Sequence, residues 1–470
     1  MNAKHTLPCT EAGEIIWDKA LIERHALSGP RYTSYPTAPQ FQKDFQESQI
    51  LEALARSNRK GNNLSLYFHI PFCNTICYYC ACNKIVTGDR SRAEIYLNKL
   101  YREIELKSAY LDKKRKVSQL HWGGGTPTYL NAQQICELMA VTRQHFNLVE
   151  EDKGEFSIEV HPGNIEDDLL KVLREQGFNR LSMGVQDFDP RTQKAVNRFN
   201  SFEQVEALTT QARDLKFHSV SMDLIYGLPF QTPQSMLQTL EKIVALSPDR
   251  ISLFNYAHLP HLFKTQKQID DNTLPSSEEK LEMFQQAIAY LCEADYLFIG
   301  MDHFAKQSDD LAVVQARGEL KRNFQGYSTH GDCDLIAFGV SGISAIDNIY
   351  VQNCKQLDTY YAAIDSQHFP AESGISLNED DRLRQHVINQ LICHFKLEFT
   401  DIEKHFNIHF QHYFQAELRA LKALEADGLI EISETGIKVS PQGRLLVRRV
   451  CMLFDAYLSR QPEIRYSQII

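Results

Sequence analysis

At 470 residues, with a formal net charge of −10, 43% hydrophobic and 23% charged residues, the chain has globular composition and length for one large core plus a small domain. The acidic balance disfavours a general nucleic-acid role, and no apolar run approaches the ~18 residues that a membrane-spanning helix needs. Eleven cysteines, an odd number with four bunched together, point to a reducing compartment rather than a disulfide framework. The start, Met-Asn-Ala-Lys-His-Thr, lacks the apolar core of a signal peptide, so a cytoplasmic protein is expected.

Residues 1–63 read as an N-terminal segment or lid. A helix is expected near Glu14 to His25, followed by Ser28-Gly29-Pro30-Arg31-Tyr32-Thr33-Ser34-Tyr35-Pro36-Thr37, where two prolines and a glycine forbid regular structure. Leu64 to Ile70 is a short, mostly apolar strand, which Pro71 ends because proline offers no N–H and fixes its own φ. Four thiols follow within ten residues: Cys73, Cys77, Cys80 and Cys82. Thiolates favour soft metals, so this crowding points to metal or cluster ligation rather than to four inert core cysteines. Three cysteines at x3 and x2 spacing can wrap one face of an iron–sulfur cube and leave its fourth iron open. Cys82, only two residues past Cys80, does not easily bend onto the same small cluster. A structural zinc knuckle is the competing reading, although zinc sites usually split their ligands into two separated pairs. The remaining thiols, Cys9, Cys136, Cys292, Cys333, Cys354, Cys393 and Cys451, are scattered and read as small buried hydrophobes or bystanders.

From Leu64 to about Ala305, short apolar runs alternate with amphipathic ones. The runs are Leu64–Ile70, Val117–Trp122, Phe156–Val160, Leu181–Val185, Val220–Ile225 and Ile251–Tyr256. Between them lie helical patterns such as Leu97, Leu100, Tyr101, Ile104 and Leu111. The basic group Lys113-Lys114-Arg115-Lys116 reads as a solvated turn. Six strand-helix units predict a parallel sheet with right-handed crossovers, as an open doubly wound sheet or as a partial barrel. In either, chemistry gathers at the carboxyl ends of the strands. The polar motifs obey that rule: Gly123-Gly124-Gly125-Thr126-Pro127, Glu159 before His161-Pro162, Gly184-Val185-Gln186-Asp187, Asp223-Leu224-Ile225-Tyr226-Gly227, and Asn255-Tyr256-Ala257-His258. Glycines at a strand end let a ligand approach the backbone closely.

Residues 306–369 read as a barrel extension and linker, with the loop Asn323-Phe324-Gln325-Gly326-Tyr327. Residues 370–470 read as a helical domain. Leu383, Val387, Leu391 and Phe395 make one stripe, and Phe414, Leu418, Leu421 and Leu424 make another. Ile430 and Ile432, then Ile437 and Val439, alternate around Ser433-Glu434-Thr435-Gly436 as a hairpin does. The result is winged-helix-like, and its mixed charge argues for packing rather than for DNA binding.

The C-x3-C-x2-C loop after a strand resembles the signature of radical S-adenosylmethionine enzymes. Tyr67-Phe68-His69-Ile70-Pro71-Phe72-Cys73 with the extra Cys82 resembles one branch, the oxygen-independent coproporphyrinogen III oxidases of heme biosynthesis, over nearly the whole chain. The resemblance implies an α/β fold: a partial (β/α)6 radical SAM barrel over 64–305 with an irregular N-terminal segment and a mostly helical, winged-helix-like C-terminal domain. It implies a 4Fe–4S cluster on Cys73, Cys77 and Cys80, and two molecules of S-adenosylmethionine. Their contacts would be Tyr67, Tyr79, Gly124, Gly125, Thr126, Glu159, Gln186, Arg198, Asp223, Ala257 and Ile343. Cys82, His69 and Gln325 would have catalytic parts outside ligation, and Arg31 would contact a substrate propionate.

The implied chemistry is one-electron cleavage of S-adenosylmethionine to a 5′-deoxyadenosyl radical, which removes hydrogen beside a carboxylated carbon. Loss of CO2 and an electron then leaves a vinyl group, and two rounds convert coproporphyrinogen III to protoporphyrinogen IX. Implied partners are this substrate and a low-potential donor such as flavodoxin or ferredoxin, acting on a monomer. Ala81 stands where the family pattern has glycine, and His161, Gly163, Asn200 and His330 also depart from that pattern; the departures leave ligation intact and bear on which local substrate contacts carry over. Two other readings compete: a heme-binding chaperone of a sister branch, and an iron–sulfur electron carrier, for which the converging strand ends would have no purpose.

Overall fold

The computed structural model describes residues 5–7, 14–25, 27–150, 152–166, 168–458, 466, 468 and 470, so Cys9 lies outside the described residues. The chain divides into two compact units. One comprises Met1–Gln40, Ser277–Gly331 and Leu377–Ile470, the other Phe41–Ser276 and Asp332–Ser376.

The second unit is built on strands Leu64–Ile70, Lys116–Gly124, Glu155–Val160, Arg180–Gln186, Ser219–Tyr226 and Arg250–Asn255, parallel and adjacent in chain order. Helices Ser91–Ser108, Ala132–His145, Leu169–Glu175, Phe202–Asp214 and Pro233–Leu246 lie between them. This is the partial barrel of the expectation. Beside the first strand, Asp334–Phe338 adds another parallel strand, followed by antiparallel Ile343–Ile346, Ile349–Asn353 and Ala371–Ser376.

The period-two alternation of the strands decides what each face does. Phe68 and Trp122 are fully buried, as are Phe178 and Phe338, and each contributes roughly 1.5–3 kcal/mol. Phe68 stacks on Phe338 at 5.0 Å, and Trp122 meets Phe178 edge-on at 5.0 Å. The alternate residues are polar and join across strands in two layers. Deep in the sheet Ser65 donates to Gln119 at 2.8 Å, Gln119 to Glu155 at 3.1 Å, and Arg180 pairs with Glu155 at 3.1 Å. Toward the carboxyl ends, the Tyr67 ring stacks on His121 at 5.8 Å and His121 Nδ1 bonds Ser157 at 2.6 Å.

Three details of this unit differ from the sequence expectation. Glu47–Lys60 is a helix, with Ile50, Ala53, Leu54 and Ser57 buried and Gly61 closing it at φ 72°. The helix Ser91–Ser108 ends before Leu111, which is buried in the following turn. Arg115 is not solvated: it is 5% exposed, pairs with Asp334, and donates to Ser57 Oγ and the Asn62 carbonyl, each at 2.7 Å.

In the first unit, Ile15–Trp17 is a strand antiparallel to His5–Leu7. The helix expected from Glu14 therefore starts only at Lys19, where the Asp18 carboxylate accepts from Leu21 N–H at 3.0 Å. β-Branched Ile15 and Ile16 with Trp17 suit a strand better than a first helical turn. Helices Glu379–His394 and Gln415–Ala426 carry the two C-terminal stripes. Phe395 caps the first at φ 58°, and Phe414 precedes the second. Ile430–Ile432 pairs with Gly436–Val439 as the expected hairpin. Among the described residues no helix is long and apolar enough to cross a membrane. Cys136, Cys333, Cys354, Cys393 and Cys451 are free, whereas Cys292 is disulfide-bonded and so is not the bystander thiol expected.

Candidate active site at the cysteine loop

Pro71 ends the first strand, and the chain then makes a hoop. Phe72–Cys73 pairs with Ile85–Val86, and Thr87 N–H reaches the Cys73 carbonyl at 3.1 Å. The intervening loop carries no charged side chain between Cys73 and Asn83. Its shape comes from neighbours: Tyr78 N–H donates to Val196 O at 2.9 Å, Asn197 to Ile76 O at 2.7 Å, Lys84 to Cys80 O at 2.9 Å and Gln266 to Tyr79 O at 3.1 Å. Tyr78 and Tyr79 pack on Val196, Leu228, Tyr256 and Ile269. Ala81 does not take positive φ, so alanine fits where glycine was expected.

Cys73 and Cys77 are buried, Cys80 is partly exposed and Cys82 is exposed. Thr126 Oγ1 lies 3.5 Å from Cys73 Sγ, and Arg198 3.8 Å from Cys77 Sγ. Burial pushes the Cys73 thiol up to about 11. Cys80 is pulled down to about 6, first by a hydrogen bond from Cys82, against burial, and then by Lys84. The first three thiols lie within each other's electrostatic reach. Yet among the described residues no group of three or more His, Cys, Asp or Glu gathers closely enough to hold a metal ion.

The three glycines at the second strand end are set by close packing. A Cβ on Gly123 would meet Glu159 Oε1 at 2.7 Å, one on Gly124 the His69 ring at 2.7 Å, and one on Gly125 the Pro71 carbonyl at 2.6 Å. Gly124 has φ 117°, which L side chains rarely adopt. Its N–H donates to Glu159 Oε2 at 3.1 Å, while His121 Nε2 lies 3.4 Å from Oε1. Burial alone would raise the Glu159 carboxyl, but His121 and the Gly124 N–H hold it below the ordinary range. His69 bridges Tyr67 Oη at 3.1 Å and the Asn83 carbonyl at 2.8 Å, and burial lowers its basicity.

The fourth and sixth strand ends, with the segment that follows the fourth, add polar groups without partners. Gln186, at φ 71°, has a buried Oε1 with no hydrogen-bond partner, as do Arg198 Nε and Asn255 Oδ1. Such orphaned atoms fit the amine, carboxylate and hydroxyls of an amino-acid nucleoside. Asp223 accepts from Ser182 at 3.2 Å, and burial pushes it up to about 6. The Ala257 carbonyl accepts from Gln266 at 3.2 Å, and His258 is tied to Tyr256 at 2.7 Å and Asp271 at 2.8 Å. Ile343 starts the strand after the Gly339–Gly342 turn. Gln325 lies in the other unit, in the turn between Lys321–Asn323 and Gly326–Ser328, with a buried, unpartnered Nε2. Arg31, also in that unit, pairs with Asp302 at 2.9 Å. Of the departures, Gly163 faces the Phe199 carbonyl, 2.4 Å from where a Cβ would stand, and buried Asn200 has no side-chain partner.

Sequence reasoning missed His121, Tyr96 and Glu103. Tyr96 Oη donates to the His69 carbonyl at 2.7 Å and accepts from Val340 N–H at 3.1 Å. Fully buried Glu103 accepts from Gly339 N–H at 2.7 Å, Tyr360 at 2.6 Å and Asn353 at 2.7 Å, and pairs with Lys107 at 2.7 Å. His121 occupies an inward position two residues before Gly123, a signal legible from alternation alone.

A cysteine hoop at the mouth of a six-stranded parallel barrel, with glycines and unpartnered polar atoms at the next strand ends, defines a radical SAM enzyme. Residues 67–243 match the radical SAM superfamily model and residues 363–446 the HemN C-terminal domain model. Oxygen-independent coproporphyrinogen III oxidase of Pseudomonas aeruginosa is 50% identical over 97% of this chain and 99% of its own length. The Escherichia coli protein of that name is 50% identical over the same shares. The solved structure of coproporphyrinogen III oxidase (HemN) from Escherichia coli, described as a radical SAM enzyme, superposes with a TM-score of 0.90 over 94% of this chain and 100% of that one. The chain belongs to the oxygen-independent coproporphyrinogen III oxidase family of radical SAM enzymes.

Proposed function

We propose that this chain carries out the anaerobic oxidative decarboxylation of two propionate side chains of coproporphyrinogen III, giving protoporphyrinogen IX. The observation that carries this is the cysteine hoop: three free thiols, Cys73, Cys77 and Cys80, within electrostatic reach of one another, on a barrel whose strand ends hold unpartnered polar atoms. Those three hold the 4Fe–4S cluster, and Gly124, Gly125, Thr126, Glu159, Gln186, Arg198 and Asp223 take the polar groups of S-adenosylmethionine, with Tyr67, Tyr79, Ala257 and Ile343 beside them. When bound, the cluster and S-adenosylmethionine supply a hydrogen-atom abstractor. The protein's own share is positional. Glu159, kept ionised by His121, holds an ammonium group. Buried His69 stays neutral between Tyr67 and the Asn83 carbonyl, fixing the floor.

Each propionate loses one hydrogen atom, CO2 and one electron to become a vinyl group. A polycarboxylate substrate also suits the first unit, where burial and the positive charges of Arg31 and Arg322 lower the basicity of Arg448, with Asp302 opposing them. Cys82 and Gln325 serve turnover rather than ligation. The enzyme works as a cytoplasmic monomer, reduced by a low-potential carrier of the flavodoxin or ferredoxin class. Mass analysis of products after strictly anaerobic incubation with S-adenosylmethionine and coproporphyrinogen III tests this. Two new vinyl groups with 5′-deoxyadenosine are expected, whereas tight heme uptake with no vinyl product would favour the chaperone reading.

A further inference from the structure

Few large apolar side chains are exposed among the described residues, and three of them stand on segments bonded directly to the cysteine loop. Val86, 40% exposed, is the ladder partner of Cys73. Phe199, 56% exposed, follows Arg198, whose guanidinium touches Cys77 Sγ, and Asn197, whose amide holds the Ile76 carbonyl. Leu262, 63% exposed, stands in the loop that Thr265 and Gln266 fasten to the carbonyls of Cys80 and Tyr79 at 3.4 and 3.1 Å. Asn74 and Thr75 of the cysteine loop itself are exposed and uncharged.

Charge around this rim is opposite to that of the chain. Segments 84–92, 189–199 and 258–274, which contain these fastenings, hold eight Lys and Arg against four Asp and Glu, in a protein whose formal net charge is −10. Lys194, Lys264 and Lys267 are exposed, and Lys84 bonds the Cys80 carbonyl itself. Exposed apolar side chains with basic neighbours are the complement of an acidic protein, and electron-transfer encounters need only small interfaces, below about 1,200 Å². Surface next to cluster ligands is also where an electron travels least far into the protein.

We propose that the surface of these segments, with Val86, Phe199 and Leu262 as its apolar points and Lys194, Lys264 and Lys267 as its charges, docks a small acidic protein that carries a one-electron centre. The inference rests on the radical SAM reading above. The carrier's centre loses one electron and the cluster held by Cys73, Cys77 and Cys80 gains it; no atom or proton is exchanged.

The test compares two reductants on holoenzyme: dithionite, which needs no docking face, and a reduced acidic carrier, with flavodoxin and ferredoxin run in parallel. In the triple variant Lys194→Glu, Lys264→Glu, Lys267→Glu, and separately in Phe199→Ala, carrier affinity measured by calorimetry and the carrier-driven rate of cluster bleaching should fall by about tenfold or more, with weaker dependence on salt. Dithionite-driven turnover should stay at the wild-type level. Lys113→Glu with Lys114→Glu, in the exposed turn before the second barrel strand, should change neither. Unchanged carrier affinity in the triple variant, or a wild-type enzyme that dithionite activates but neither carrier does, overturns the docking face. Failure with dithionite as well would instead overturn the radical SAM reading.

Discussion

Tyr96 joins two strand ends through one oxygen, donating to the carbonyl of His69 and accepting from the N–H of Val340 at 2.7 and 3.1 Å. The first contact fixes the floor of the site, and the second fixes the turn that leads to Ile343. Tyr96→Phe leaves both buried groups unpaired and should cost about 1–3 kcal/mol, read as a lower denaturation midpoint. Affinity for S-adenosylmethionine should fall with it. A variant of unchanged stability and affinity would show that the phenol only fills space.

Glu103 is the hub of the same support, with Lys107, Asn353, Tyr360 and Gly339 all on its two oxygens. Glu103→Ala strands a buried ammonium and should destabilise by about 3–5 kcal/mol, whereas Glu103→Gln, which keeps the shape, should cost less. Urea denaturation of the pair measures the difference.

Glu159 has its carboxyl held below the ordinary range by His121 and the Gly124 N–H, against burial. A depressed folded-state value means that the charge is present above it and is lost as pH falls through it. His121→Ala should move that loss to higher pH and weaken S-adenosylmethionine binding by about tenfold, more at acidic than at alkaline pH. Calorimetric affinity against pH, in wild type and variant, checks the sign.

Asp223 has the opposite shift, pushed by burial from 3.8 up to about 6. Between those values the folded protein binds more protons than the unfolded chain, so this carboxyl makes stability fall as pH rises through the window. Asp223→Asn should flatten that part of the stability profile and lose affinity for S-adenosylmethionine. A profile unchanged in slope would contradict the assignment.

Much of this fold was legible because its strands are short, apolar and bounded by glycine or proline, as in Leu64–Ile70 before Pro71. The choice between open sheet and barrel was also present, in a form that run-counting passes over. Leu-Ser-Leu-Tyr-Phe-His-Ile alternates, and a sheet covered by helices on both faces would not place Ser65, Tyr67 and His69 on one side. Arg115 was misread because a basic run looks solvated, while its counter-ion, Asp334, is remote in sequence. Tyr96 and Glu103 were invisible for the same reason: their partners Val340 and Asn353 arrive from a strand group far along the chain.

The proposed roles divide the thiols. Cys73→Ser, Cys77→Ser and Cys80→Ser should each abolish the cluster, while Cys82→Ser should retain it and lose turnover. Iron content with visible absorption distinguishes these outcomes, and loss of iron in the Cys82 variant would assign that thiol to ligation.

Mössbauer and electron paramagnetic resonance spectra of the anaerobic protein, before and after adding S-adenosylmethionine, address the central claim most directly. One iron of the cluster should differ from the other three and change its signal when the sulfonium compound arrives. Four equivalent iron sites, all ligated by side chains and indifferent to that addition, would contradict the account.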